Sequence, residues 1–143
     1  KQKTAYAIMP SLVGSEMCIR DRLKTWKKKA SPLEGKLFVS YHDIWPYFAK
    51  RFKLKMLRPI EPKPGIPPSP KSLRDLISEM LLEDVRLVIQ VPFYSSTTPA
   101  MIARSTSANL VILPISLGKK YGTDTFFKLF ERNLEVLRQA MKN

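Results

Sequence analysis

The chain has 143 residues, of which 44% are hydrophobic and 26% charged, and these proportions are typical of one globular domain. No stretch approaches the roughly 20 consecutive apolar residues of a membrane-spanning helix, and the five glycines and single cysteine exclude collagen-like and disulfide-rich chains. The 25 Lys and Arg residues outnumber the 12 Asp and Glu residues and give a net charge of +13, which raises nucleic acid or an anionic surface as a partner.

Much of this positive charge lies near the start of the chain, where residues 1–29 carry eight basic and two acidic side chains. A basic terminal arm of this kind either binds nucleic acid or is a solvated flank. Neither zinc-finger spacing nor a basic stripe interleaved with aromatic residues accompanies it. We therefore expect no nucleic-acid partner for this arm.

Residues 11–22 resemble a translated sequencing adaptor, most clearly in their last six letters, MCIRDR. A genuine variable leader is the alternative. The preceding apolar run is broken by Pro10 and lacks a small-residue cleavage site, so no signal peptide is predicted. Cys18 lies inside the adaptor-like stretch and therefore gives no information about the redox compartment. We predict three segments: an artefactual or disordered leader over 1–22, a basic lead-in over 23–35 and a C-terminal α/β lobe over 36–143.

From residue 36 onward, strand-like and helix-like patterns alternate. Capping residues indicate three helix starts, with Asp43 before one helix and the pairs Ser69-Pro70 and Thr98-Pro99 before the next two. The predicted elements in chain order are strand 36–41, helix 44–52, strand 54–60, helix 70–81, strand 86–91, helix 99–103, strand 110–113 and helix 123–141. This order predicts an α/β fold with a parallel four-stranded sheet flanked by helices.

Two of the predicted helices carry apolar faces at helical spacing. The helix after Pro70 is predicted to bury Leu73, Leu76, Ile77, Met80 and Leu81. The last helix is predicted to bury Phe126, Phe127, Phe130, Leu134, Leu137 and Met141. The proline-rich segment over 59–70 joins a strand to a helix and is predicted to be a stiff loop.

His42, the only histidine of the chain, comes directly after the first predicted strand. Ligands bind beyond the carboxyl ends of the strands in open parallel sheets, so His42 is the candidate site residue. A histidine that is merely hydrogen-bonded within its loop is the alternative. Asp43 is interpreted first as a helix cap and second as a hydrogen-bonding partner of His42. One histidine does not complete a zinc site, which takes about four ligands.

Signals for catalysis are weak. The chain contains neither a nucleophile elbow nor a glycine-rich phosphate loop, and its five glycines are isolated from one another. An enzyme that uses His42 as a general base therefore lacks partner residues, and we expect a protein that is not an enzyme.

Two blocks near His42 and one near the end of the chain are similar to a known family: SYHDIWPYFAKRF over 40–52, IEPKPGIPPS over 60–69, and the aromatic and Arg-Asn-Leu pattern over 121–134. They resemble the C-terminal lobe of the zinc- and manganese-binding solute-binding proteins of bacterial ABC importers. The resemblance covers 23–143 and implies two α/β lobes joined by a long helix, with the metal ion in the cleft between them. It implies metal capture and delivery in the periplasm or another extracytoplasmic location. The implied partners are the membrane permease and a missing N-terminal lobe.

The resemblance places His42 at the third metal-ligand position, after two histidines of the N-terminal lobe. Ile115 and Val91 stand where the family carries carboxylates, and neither side chain can bind a metal. Glu61 is predicted to fix its loop and not to act as a ligand. The metal site of the whole protein would then use three histidines and a water, or a carboxylate that the sequence does not place. A histidine-rich site would favour Zn²⁺ over Mn²⁺, which prefers oxygen ligands, so zinc is the expected cargo.

The alternative function is that of a small basic α/β module that binds nucleic acid or an acidic partner. Its affinity for a nucleic acid would fall steeply as salt is raised, whereas metal capture would not show this dependence.

Overall fold

The computed structural model describes residues 19–63 and 65–142, and within them strands and helices alternate as predicted. The strands are β1 Leu37–Ser40, β2 Lys55–Pro59, β3 Leu87–Gln90 and β4 Asn109–Ile112. The α-helices are α1 over 19–30, α2 Pro46–Phe52, α3 Pro70–Leu82, α4 Thr97–Thr106 and α5 Phe126–Ala140. Short 3₁₀ helices cover Ser31–Leu33 and Lys119–Tyr121. Within these ranges, no helix combines the length and the apolar character needed to cross a bilayer.

The four strands form one parallel sheet in the order β2-β1-β3-β4, which confirms the predicted α/β fold. Ser40 at the end of β1 pairs with Pro59 at the end of β2 and with Ile89 near the end of β3. The carboxyl ends of neighbouring strands therefore lie side by side along one edge of the sheet, and the loops that follow them meet there.

Alternating strand residues face two separate cores, because successive side chains of a strand point to opposite faces of a sheet. Phe38, Leu87 and Ile89 belong to the core that the sheet forms with α1, α2 and α5. Val39 and Val88 belong to the core under α3 and α4. The sheet is covered on both faces, as is typical of parallel sheets.

The segment before β1 contributes directly to the first of these cores. Trp26 is 2% exposed, and its ring stacks on that of Phe130 with centroids 4.9 Å apart. Arg22 donates to a carboxylate oxygen of Glu131 at 2.8 Å. Residues 1–18 lie outside the described residues, whereas the last four residues of the adaptor-like stretch, 19–22, belong to helix α1. The predicted division of the chain at residues 22 and 35 stays a prediction.

Of the three predicted helix caps, the structure shows one, at Ser69. The Ser69 cap is confirmed, since its hydroxyl oxygen accepts a hydrogen bond from the backbone N–H of Ser72 at 3.1 Å. The Asp43 cap is wrong, because α2 begins at Pro46 with Trp45 as its N-cap. A residue that precedes proline is disfavoured in the helical region, so the helix begins only at Pro46.

The helix predicted after Thr98 begins earlier than expected. It starts at Thr97 with Ser96 as its N-cap, so Thr98 is not a cap. Pro99 is therefore the third residue of the first turn, where its missing N–H costs no hydrogen bond because the first four N–H groups of a helix have no partner within it.

Two residues predicted to be buried are exposed. Leu81 is 58% exposed, because at 100° per residue it lies about 120° from the midline between Leu76 and Met80, which are buried. Phe126 is 56% exposed as the first residue of α5. As the first residue it has no preceding turn of α5 to pack against, and its ring lies 4.7 Å from that of Phe130, centroid to centroid.

We predict that Leu134→Ala lowers the free energy of unfolding by about 2–5 kcal/mol, because Leu134 is fully buried between α5 and the sheet and the truncation leaves a cavity. Leu82→Ala, the matched control, removes the same atoms at a position that is 83% exposed and should change the value by less than about 0.5 kcal/mol. Urea unfolding followed by circular dichroism measures both. Equal losses for the two variants would contradict the assignment of α5 to the core.

Candidate functional site

His42 lies at the carboxyl edge of the sheet, as predicted, in the first residues after β1. The backbone N–H of Tyr41 donates to the carbonyl of Ile89 at 3.1 Å, which prolongs the pairing with β3 beyond the end of β1. The carbonyl of His42 then accepts from the N–H of Ile44 at 3.0 Å and turns the chain toward α2. The imidazole is held near the surface, with 12% of its side chain exposed.

Glu61 follows β2 as His42 follows β1, and the structure brings the two side chains together. The N–H groups of Ile60 and Glu61 donate to the carbonyls of Ser40 and Tyr41 at 2.8 and 2.9 Å. These bonds hold the chain after β2 beside the chain after β1. The Oε2 atom of Glu61 lies 3.6 Å from Nε2 of His42. Sequence reasoning missed this juxtaposition, although each residue stands two positions beyond a paired strand end.

The other carboxylate oxygen of Glu61 organises its own loop. Oε1 accepts a hydrogen bond from the backbone N–H of Gly65 at 2.6 Å, and Gly65 has a φ of +81°, which favours glycine. This contact confirms the prediction that Glu61 fixes the proline-rich loop. Glu61 is only 8% exposed, so its charge lies in a largely desolvated position.

Aromatic rings surround the His42 imidazole. The Tyr94 ring lies 4.5 Å from it and the Tyr41 ring 4.6 Å, centroid to centroid. Tyr94 is positioned by Gln90, whose side-chain amide donates to the carbonyls of Tyr94 and Ser95 at 3.0 and 3.1 Å. Sequence reasoning missed Gln90 and Tyr94, and the available signal was a single polar residue at the end of an otherwise apolar strand.

The two nitrogens of His42 have different surroundings. Nδ1 is buried and, among the described residues, has no hydrogen-bond partner. Nε2 lies toward Glu61, but the 3.6 Å separation exceeds the range of a hydrogen bond. Nε2 is therefore the nitrogen that a ligand can reach.

A pocket of about 370 Å³ opens at this edge of the sheet, and its lining residues are His42, Asp43, Ile44, Glu61, Pro62, Val91, Tyr94 and Ile115. Ile115 and Val91 thus lie in the wall of the pocket that contains His42. The segment carrying Ile115 is tied to α5, because the buried side-chain amide of Asn133 donates to the carbonyl of Pro114 at 2.9 Å. Within 19–63 and 65–142, no three His, Cys, Asp or Glu residues come together as a metal site.

Neither interpretation of Asp43 agrees with the structure. Asp43 is exposed and lines the pocket, but α2 begins three residues later with a different cap. Its carboxylate makes no hydrogen bond or ion pair with the other residues that the structure describes, His42 included. The carboxylate beside His42 comes from Glu61 instead.

A group of basic residues lies away from this pocket. Lys27, Lys50, Arg51 and Lys53 line a groove of about 610 Å³ near the start of β1 and β2, at the opposite edge of the sheet. Glu34, in the same groove, pairs with Lys53 at 3.1 Å and offsets part of the charge.

Residues 19–140 match the model of the protein family described as "ZnuA: Zinc-uptake complex component A periplasmic". A search of curated protein sequences found no match to the chain. Among solved structures, the laminin-binding protein Lmb of Streptococcus agalactiae, described as bifunctional with adhesin and metal transporting activity, is 26% identical with a TM-score of 0.67. The match covers 85% of this chain and 48% of that chain.

Two further solved structures share the fold. A crystal structure of ZnuA is 20% identical with a TM-score of 0.75, and the match covers 92% of this chain and 47% of that chain. FpvC of Pseudomonas aeruginosa, solved in complex with Mn²⁺, is 24% identical with a TM-score of 0.65, over 88% of this chain and 49% of that chain. The chain therefore spans about half the length of the structures it matches.

The environment of Tyr41 leads to a prediction. The pKa of the Tyr41 hydroxyl is raised above its ordinary value, first by burial and then by its hydrogen bond to Glu61 and the negative charge of that carboxylate. Ultraviolet titration of the protein, with Tyr41→Phe as the reference, should show Tyr41 ionising above its ordinary pKa of about 10. Glu61→Gln removes the charge and should move the pKa of Tyr41 back toward that value. An unchanged pKa in Glu61→Gln would contradict the contact.

The raised pKa of Tyr41 also makes the stability of the folded protein depend on pH. Because the folded state holds the Tyr41 proton more tightly than the unfolded state, the contribution of Tyr41 is fully present below about pH 10 and is lost as pH rises through the raised pKa. Tyr41→Phe should remove this part of the alkaline loss of stability.

Proposed function

The chain belongs to the ZnuA family of periplasmic zinc-uptake components, and on this premise we propose that it takes part in metal capture for an ABC importer, with zinc as the cargo. The family's members are transport components rather than enzymes. The proposal extends to the whole protein, in which this chain would form the C-terminal lobe.

The observation that carries the proposal is the position of His42. Its imidazole stands at the carboxyl edge of a parallel sheet, where such folds bind their ligands, and it lines a pocket of about 370 Å³. Nδ1 is buried, whereas Nε2 faces the Glu61 carboxylate, which lines the same pocket. A neutral imidazole offers one lone pair to a metal ion, and here Nε2 would offer it.

The described residues supply too few ligands for a complete site, because a zinc ion takes about four. We propose that the remaining ligands come from a second, N-terminal lobe, in keeping with the share of the neighbouring structures that the chain covers. In this proposal, residues 36–143 are the C-terminal lobe, 23–35 lead into it and 1–22 do not belong to the site.

Zinc is proposed as the cargo because the family is described by zinc uptake and because an imidazole ligand suits Zn²⁺ well. Mn²⁺ is the competing cargo, since FpvC was solved in complex with it. The proposed location is the periplasm or another extracytoplasmic compartment, and the proposed partner is the membrane permease that receives the ion.

The histidine content of the chain allows a direct test of the ligand assignment. His42 is the only histidine, so the imidazole resonances of the untagged, ¹⁵N-labelled chain report on this residue alone. We predict that Zn²⁺ shifts them and that His42→Ala abolishes zinc binding measured by calorimetry. The loss should exceed the roughly 10–100-fold that removal of an outer contact costs.

Asp75→Asn is the control, because it replaces an exposed residue of α3 that does not line the pocket. It should bind zinc as the unaltered chain does. Circular dichroism and thermal melting would establish that both variants fold. An imidazole that stays unmoved at saturating Zn²⁺ would overturn the role of His42, and a stronger response to Mn²⁺ than to Zn²⁺ would overturn the choice of cargo.

A further inference from the structure

Glu61 is the only carboxylate that the structure places against His42 among the described residues, and it occupies the carboxyl end of the neighbouring strand. We propose that Glu61 is a ligand of the same divalent metal ion, bound through Oε2 while His42 binds through Nε2. This inference rests on the proposed function, since it adds the carboxylate to the site at which His42 acts.

The separation of the two atoms suits a shared ion. Nitrogen and oxygen ligands bind zinc at about 2.0–2.2 Å, and two such ligands of a tetrahedral centre stand about 3.3–3.6 Å apart. Nε2 of His42 and Oε2 of Glu61 are 3.6 Å apart. The two side chains are therefore spaced as neighbouring ligands before any ion binds.

The carboxylate is held in place for this role. Oε1 is engaged by the N–H of Gly65, and the backbone N–H of Glu61 is engaged by the carbonyl of Tyr41, so the side chain is anchored at both ends. Oε2 is left on the side of His42. Glu61 is 8% exposed, and the donors that bond its carboxylate, the Gly65 N–H and the Tyr41 hydroxyl, are neutral. A bound cation would therefore supply the positive partner that offsets the cost of burying this charge.

The alternative role, in which Glu61 only orients the imidazole, fits the geometry poorly. An orienting carboxylate accepts a hydrogen bond from the ring nitrogen opposite the metal. Glu61 stands on the Nε2 side at 3.6 Å, so the metal would then have to bind Nδ1. Nδ1 is buried and out of reach of an ion in the pocket.

Glu61 also supplies an oxygen ligand, which the side chains at the two positions where the family carries carboxylates do not have. Ile115 and Val91 line the pocket but cannot bind a metal. Together Nε2 and Oε2 make a mixed nitrogen and oxygen pair, which suits a divalent transition-metal ion and leaves the rest of its coordination to water or to a second lobe.

The first test measures the nuclear magnetic resonance signal of the Glu61 carboxyl group. The untagged chain is labelled with ¹³C at the glutamate side-chain carboxyl and with ¹⁵N at histidine, and the Glu61 signal is identified by its loss in Glu61→Gln. On addition of Zn²⁺, the Glu61 carboxyl resonance should move together with the His42 imidazole, with the same saturation curve. Movement of the imidazole alone would overturn this inference and leave the proposed function intact. If neither moves, the role of His42 fails and this inference with it.

Affinity gives a second measurement. In Glu61→Gln the amide oxygen can still accept from Gly65, so the loop keeps its anchor while the anionic ligand is lost. Zinc affinity should fall by more than the roughly 10–100-fold that removal of an outer contact costs. Glu83→Gln, the control, makes the same charge change at an exposed residue that ends α3, and its affinity should stay unchanged. Equal affinities for Glu61→Gln and the unaltered chain would also overturn the inference.

Discussion

The pairing of β1 with β2 controls the site, because it continues past the strands into the loops that carry the functional side chains. The N–H groups of Ile60 and Glu61 donate to the carbonyls of Ser40 and Tyr41. The segments that follow β1 and β2 therefore stay side by side for two residues beyond Pro59. His42 and Glu61 then emerge together. Without these bonds, the proline-rich loop would have no fixed relation to β1, and the carboxylate would not face the imidazole.

The loops after β3 and β4 are also held in place at this edge of the sheet by side-chain hydrogen bonds. Gln90, at the end of β3, is fully buried and holds the loop that carries Tyr94 against the imidazole. Asn133 of α5 holds the segment after β4, which contributes Ile115 to the pocket wall. Buried side-chain amides, each bonded to backbone carbonyls, thus set the loops of the sheet's carboxyl edge around one pocket. The amide nitrogens of both side chains are satisfied by these bonds, which favours one conformation of each loop.

Most of the fold could be predicted because it depends on local patterns. Apolar runs gave the four strands, the Ser69-Pro70 pair gave the start of α3, and the alternation of elements gave the parallel sheet. One error arose where two local signals competed, and another where an apolar residue lay outside the buried face of its helix. Asp43 is a good capping residue, but Pro46 disfavours a helical conformation at Trp45, so α2 begins at Pro46 and Asp43 does not cap it. At Leu81 an apolar residue fell outside the arc of α3 that faces the sheet.

The amino-acid sequence by itself determined that His42 would stand at the ligand-binding edge, since that follows from its place after a strand in an alternating α/β chain. Only the tertiary structure decided which carboxylate stands beside it. The register of β1 and β2 shifts by one residue between Phe38 and Ser40, and this shift pairs Ser40 with Pro59. A slip of one residue turns a side chain to the opposite face of a sheet, so the position of Glu61 depends on an irregularity that no local pattern announces.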